Sequence, residues 1–584
     1  MNKKTLTIIL VGIVLALLIF NQIKEMKKIE NRYETAQNDP LKARIYTLDN
    51  GLKVYLTVYK DAPRIQTNIA IKAGSKNDPV DATGLAHYLE HMLFKGTDVY
   101  GSLDYEKEKP LLDKIEILYE EYRSIEMTDS ANRERVWDEI DSISLEAAKY
   151  AIANEYDKML SGIGAKGTNA YTSNEKTVYV NDIPSNQIEK WLKIEAERFR
   201  KPVLRLFHTE LETVYEEKNR GLDNDGRKMF QALMAGLFQK HQYGTQTTIG
   251  TIAHLKNPSL VEINKFYTKN YVPNNMAICL SGDLDYNETI KLIDKYFGSF
   301  ERKEDPSFEV AKEDEIQKPI IKDVYGPEAE RLYIGFRFPG VDSEITNKLG
   351  LTDMILSNST AGLIDLNLNQ EQEIIGGGCF PYVLKDYSMH GFYGSPKQGQ
   401  SLEEVKDLLL AEIEKVKSGD FPDWLIPAII NDFKLEQIKK YESNNGRAGQ
   451  FVESFILDLP WEDFTNKINE MAKLTKQDII DFANHYYSNN YVVVYKRQGI
   501  DESVLKVAKP KITPVDVNRT SESNFLTAIM DEEVNEIEPV FLDFETDIQK
   551  SNIGEVEILY KENTENDIFK LDYQIKKGTD ENPK

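Results

Sequence analysis

Cysteine is nearly absent: Cys279, inside an apolar run, and Cys379, after three glycines, are the two in 584 residues. Two isolated thiols cannot build a disulfide framework or a cysteine zinc knuckle, so any metal is expected to take His and carboxylate ligands. Positive charge is also short. The 72 Lys and Arg against 96 Asp and Glu leave a formal charge of -24, which repels phosphate backbones and anionic lipid surfaces and excludes nucleic acid as a partner. Long hydrophobic runs are limited to one, from Leu6 to Phe20, behind Lys3 and Lys4. It reads as the core of an export signal. No small-x-small cleavage site follows, because Asn21, Gln22, Ile23 and Lys24 come next, so an uncleaved signal-anchor is favoured over a removed peptide. The expected location is periplasmic or in the cell envelope, anchored by Leu6–Phe20 or secreted after cleavage.

What is present is an ordinary globular composition, 41% apolar and 29% charged, in a chain long enough for about three to five domains. Internal repeats organise it. FYTKNYVPNNM from Phe266 and FANHYYSNNYV from Phe482 keep their aromatic and Asn positions in step at a shift of 216. RIQTNIAIKAG ending at Gly74 resembles RLYIGFRFPG ending at Gly340, a shift of 266. Two like-built domains therefore lie in tandem, and the first is longer by the difference. The excess falls at 106–159, rich in Glu, Lys, Leu, Ile and Tyr, which reads as an inserted, self-contained helical hairpin. A third echo, of the stretch from Gly51 by the stretch from Gly554, matches Gly74 and Pro79 to Gly578 and Pro583 at a shift of 504, so a third domain is expected to begin at 554 and to be incomplete at 584.

Leu52, Val54, Leu56 and Val58 alternate with Lys53, Tyr55 and Thr57, the period of a half-buried strand. Helical patterns follow the strands, and the fold class expected is α+β, tandem domains of antiparallel-rich sheet covered by helices. The boundaries expected are 1–35 for the signal, 40–305 and 306–500 for the two repeats, 501–553 for a Pro-rich linker and 554–584 for the third domain.

The chemistry concentrates in GLAHYLEHMLF, from Gly84. Leu85, Leu89, Met92 and Leu93 share one helical side, while His87, Glu90 and His91 share the other. Two imidazoles one turn apart can grip a tetrahedral zinc, and the carboxylate beside them can take a proton from a metal-bound water, whose pKa zinc lowers to about 7. The order H-x-x-E-H is the inverzincin signature. A third ligand is needed, and HTELETVYEEKN from His208 offers Glu210 and Glu217 on one helix face. Spacing alone leaves both open. His208, His241, His254, His390 and His485 have no partners at ligand spacing and read as ordinary residues.

On these motifs the chain resembles the M16 (pitrilysin) metallopeptidase family from about residue 40 onward. The resemblance implies one Zn2+ per chain held by His87, His91 and Glu217, with Glu90 as base and Glu210 as the supporting carboxylate. It implies that GTNAYTSNEKTVY is an edge strand that extends a bound peptide, with Asn169 and Ala170 contacting its backbone. The activity implied is hydrolysis of peptides or small unfolded proteins. It also implies a second M16 half as partner, in cis in a longer chain or in trans. NKLGLTDMILSNS replaces the metal motif in the second domain, which is read as degenerate scaffolding. The competing readings are a non-catalytic peptide-binding or assembly subunit, and an isolated catalytic half with weak activity.

Overall fold

The computed structural model describes residues 32–60, 62–501 and 511–575. The apolar run at Leu6–Phe20 lies outside them. No helix among the described residues is long and apolar enough to cross a membrane.

The first sheet is built from β1 (Tyr33–Glu34), β2 (Arg44–Thr47), β3 (Lys53–Val58), β4 (Arg64–Ile71), β5 (Lys166–Thr172), β6 (Thr177–Pro184) and β7 (Met276–Gly282), in the order β1-β2-β3-β7-β4-β6-β5. The second contains β8 (Ile320–Gly326), β9 (Arg331–Pro339), β10 (Gly376–Tyr382), β11 (Tyr387–Ser395) and β12 (Tyr491–Gln498), ordered β10-β11-β9-β12-β8. Each contains one parallel pair, β3 with β7 and β12 with β8, and is otherwise antiparallel. Helices cover these sheets, so the class is the mixed sheet-and-helix one expected.

The helices that matter for the site are α1 (Leu85–Met92), α2 (Tyr105–Ser124), α3 (Ser130–Ala148), α4 (Glu155–Gly162), α5 (Phe207–Leu222), α6 (Asp225–Leu237), α7 (Ser343–Leu356), α8 (Asn444–Ile456) and α9 (Asn524–Asp531). Two of them cross between the repeats. Met229, Leu233 and Leu237 of α6 bury against Val492 and Val494 of β12. Reciprocally, Phe451, Val452 and Phe455 of α8 bury against Tyr55, Ala70 and Cys279 of the first sheet. Each sheet thus has its second face sealed by a helix from the other repeat, which makes the two mutually dependent.

A buried ionic cluster adds to this exchange. Lys76 Nζ lies 2.9 Å from Glu175 Oε1, in the β5–β6 turn, and 2.7 Å from Asp386 Oδ2, in the β10–β11 turn. The Tyr243 hydroxyl bonds both carboxylates, and the Lys385 amide donates to Glu175. Burial pushes the Asp386 carboxyl up, but His241 and the Lys76 ammonium outweigh it and hold it at about 2, below the ordinary 3.8. A depressed carboxylate stabilises above its unfolded pKa, and that stability is lost as pH falls through the folded value. Asp386→Asn is therefore expected to lower stability at neutral pH and to flatten its fall from about pH 4 toward 2. Urea unfolding at stepped pH measures both, and an unchanged acid slope would count against the assignment.

Two sequence expectations need correction. The hairpin α2–α3 is not self-contained: Ile115, Leu118, Tyr119, Val136, Trp137 and Ile140 belong to the main core under the first sheet. Nor is 501–553 a linker throughout. Thr513 bonds Asp141, the Trp137 indole donates to the Lys511 carbonyl, and Leu526 and Ile529 of α9 enter the same core. Its polar, Pro-containing composition hid the short amphipathic stretch that packs back on α4.

From Asn535 onward the described residues form a separate unit. Its hairpin, β13 (Gln549–Ile553) with β14 (Val556–Tyr560), pairs Gln549 with Tyr560. Leu571 and Ile575 beyond it are 59% and 81% exposed.

Candidate metal centre

Helix α1 begins where two loops touch. Gly84, at φ +92°, could not carry a Cβ, which would come within 2.8 Å of the Ile249 carbonyl. The Asp78 carboxylate accepts the amides of Gly84 and Ala86 at 2.7 and 2.9 Å, capping the helix and fixing its direction. Leu85, Leu89 and Met92 then bury inward, which turns His87, Glu90 and His91 to the opposite side.

The two Nε2 atoms lie 3.3 Å apart. Glu217 Oε2, arriving from α5, is 3.4 Å from that of His87 and 3.9 Å from that of His91. One ligand atom from each of the three lies within 4.8 Å of the others. Two imidazole nitrogens facing a carboxylate oxygen around one point suit a small divalent cation with nitrogen and oxygen ligands. Burial, helped by His91 and Arg227, pushes His87 down to about 4, so its ring is neutral, the ligating form.

Glu210 takes a different position from Glu217. Its Oε1 is 2.8 Å from His91 Nδ1, and Lys95 Nζ is 2.5 Å from its Oε2. A proton on Nδ1 shared with this carboxylate leaves Nε2 free for a cation. Burial raises the Glu210 carboxyl, but His91 and Lys95 win and hold it at about 2. Glu90 stays out of the ligand cluster, and its Oε2 accepts from Thr172 Oγ1 at 2.5 Å. Burial pushes its carboxyl up, against the pull of Thr172.

Thr172 ends β5, the outer strand of the first sheet, whose second backbone edge has no strand partner among the described residues. Asn169 and Ala170 lie on that strand, opposite Val180 and Tyr179, with a register irregularity just before Asn169. Both line the cleft that holds His87, Glu90, His91, Glu210 and Glu217, a space of about 1050 Å³. All seven residues singled out from the sequence therefore border one cleft. Lys95 and Thr172 were not singled out, although Lys95 stands four residues after His91 and Thr172 two after Ala170.

The family model described as "Insulinase (Peptidase family M16)" matches residues 54–112 and 141–250, skipping part of the α2–α3 hairpin. That described as "Peptidase M16 inactive domain" matches 259–433. "Zinc protease PqqE" of Helicobacter pylori is 22% identical over 76% of this chain and 90% of its own length. Human "Insulin-degrading enzyme" is 26% identical over 51% of this chain and 25% of its own length. Among solved structures, a protease from Helicobacter pylori superposes with TM-score 0.64 at 20% identity, covering 78% of this chain and 99% of that one. The periplasmic protease PqqL from Escherichia coli gives 0.60 at 16% identity over 89% of this chain and 54% of that one. With an Insulinase-type domain carrying the histidine pair and an inactive-type domain after it, the chain belongs to the M16 peptidase family.

Proposed function

We propose that the chain is a zinc metalloendopeptidase of the inverzincin type, with one zinc at His87, His91 and Glu217. The convergence of those three ligand atoms carries the reading. When bound, zinc supplies Lewis-acid polarisation of the scissile carbonyl. Glu90, beside the ligands and outside their cluster, takes the proton of the attacking water and returns it to the leaving amine. Glu210 holds the His91 ring in register through Nδ1 and, with Lys95, keeps its own charge fixed. The open edge of β5 binds an extended peptide by strand addition, with backbone contacts at Asn169 and Ala170.

A second M16 half, in cis or in trans, is the partner we propose. Several relatives differ in this respect: the chain spans nine-tenths of the Helicobacter protein but about half of PqqL and a quarter of human insulin-degrading enzyme. The exposed apolar residues of the 549–575 segment fit the first strands of such a half. Export is proposed from the Leu6–Phe20 run and from PqqL, which is described as periplasmic.

Purified protein is expected to contain about one zinc at this centre and to cleave unstructured peptides, and His91→Ala to lose both. Elemental analysis and a quenched-fluorescence peptide assay test it. Zinc retained at this centre in the His91→Ala protein, or a zinc-loaded wild type with no hydrolysis alone or beside a second half, would favour the peptide-binding subunit instead. The native mass in solution shows whether that half is a separate chain.

A further inference from the structure

The second repeat contains its own convergence of donor groups. At the shift of 266 residues that takes Gly74 to Gly340, Asp353 on α7 occupies the place of His87 on α1. Asp353 Oδ1 lies 3.1 Å from Nε2 of His390 on β11, and the thiol of Cys379 on β10 is 3.4 Å from the Asp353 carbonyl oxygen. One ligand atom from each of the three lies within 4.8 Å of the others.

The surroundings suit a cation. His390 is wholly buried, and its Nδ1 is 2.6 Å from the buried Tyr487 hydroxyl. That contact fixes the ring with Nε2 toward Asp353 and Cys379, as an outer hydrogen bond does for metal-bound imidazoles. Among the described residues, the ion-pair partner of Asp353 is His390, and no Lys or Arg pairs with it. A second carboxylate, Asp365, acts on the same thiol, and its oxygens are bonded by the amides of Asn358 and Ser359 and the Ser357 hydroxyl. Burial and the carboxylates of Asp353 and Asp365 push the Cys379 thiol up, so it stays a neutral thiol unless a cation beside it supplies a counter-charge. Cys379 is half-buried.

We propose that Asp353, Cys379 and His390 form a second divalent transition-metal site, zinc by its oxygen, nitrogen and sulfur donors, which ties α7 to β10 and β11. On binding, the Cys379 thiol gives its proton to solvent and the thiolate joins the metal. The site adds a sulfur ligand to the His and carboxylate set expected from composition, and it does not depend on hydrolysis at the first centre.

Cobalt(II) is the probe, because a thiolate ligand gives it a charge-transfer absorption. The full-length His91→Ala chain, stripped with chelator and reloaded, is expected to retain about one cobalt with that absorption. Adding Cys379→Ser abolishes the absorption, and Asp353→Asn abolishes retention, with circular dichroism confirming the fold. The unmutated chain supplies a check free of folding effects: cobalt or zinc should slow alkylation of Cys379. A His91→Ala chain that takes up no cobalt, an absorption that survives loss of Cys379, or alkylation indifferent to metal would overturn the site and leave a hydrogen-bonded cluster only.

Discussion

Replacing Glu90 with Gln will slow peptide hydrolysis by about 10²- to 10⁴-fold while zinc content stays at the wild-type level. Glu90 lies between the two histidines in sequence but outside the ligand cluster, so the substitution leaves all three ligands in place. Gln has the same shape, and its carbonyl oxygen can still accept from Thr172, so the local packing of α1 against β5 survives. What it lacks is a basic site for a proton. Turnover of an unstructured peptide, measured with the metal content of the same sample, decides the matter. Residual activity above about a tenth of wild type would remove Glu90 from the role of base, since general-base catalysis is worth far more than tenfold. Loss of zinc would instead make it a structural support.

Glu108→Ala is expected to cost about 3–5 kcal/mol of stability. Glu108 and Arg205 are each 1% exposed and face one another through two contacts, Nε to Oε1 at 3.0 Å and Nη2 to Oε2 at 3.1 Å. Arg205 also donates to the carbonyls of Lys95, Thr97 and Tyr100, so its guanidinium cannot leave when the carboxylate is removed. An uncompensated buried charge remains, and that accounts for most of the loss. The effect extends to chemistry because Arg205 lies two residues before α5, which carries Glu210 and Glu217. His208 on the same helix is held by the Tyr119 hydroxyl at 2.7 Å and by Asp141 at 3.1 Å, both from the hairpin. Deleting 106–159 would therefore release the start of the ligand-bearing helix, whereas a self-contained hairpin would leave it untouched. Denaturant unfolding of the point variant gives the magnitude, and a loss below about 1 kcal/mol would mean that water reaches Arg205.

The sequence was most informative where chemistry and helical spacing coincide. His87, Glu90 and His91 lie within five residues on one helix, and Glu210 and Glu217 are two turns apart, so periodicity alone gathers each set on a face. The edge position of the strand that carries Asn169 and Ala170 was legible only through the family resemblance, and Thr172 was not legible at all, because its role depends on which side chain α1 brings opposite. Asp353, Cys379 and His390 come from a helix and two strands, 26 and 37 positions from Asp353, with no local pattern to join them. Helices α6 and α8 show a comparable limit. An amphipathic stripe says that a face is buried and not which sheet receives it. In α9 the apolar spacing of Leu526 and Ile529 was present, and the surrounding polar composition obscured it.

The return of α9 also sets an order of events during synthesis. Chains generally fold from the N-terminal end as they leave the ribosome, at about 5–20 residues per second. Here the earliest core to emerge cannot be finished early. Phe525 stacks on Tyr100, Met530 closes over Gly162, and the Ser523 amide donates to Glu155 at 2.6 Å. Until those late residues emerge, the surface of α4 and the loop at Tyr100 stay uncovered while the whole second repeat is made. The nascent chain must therefore carry an unfinished apolar surface through most of its own translation, and a stop codon anywhere before residue 523 leaves that surface permanently open.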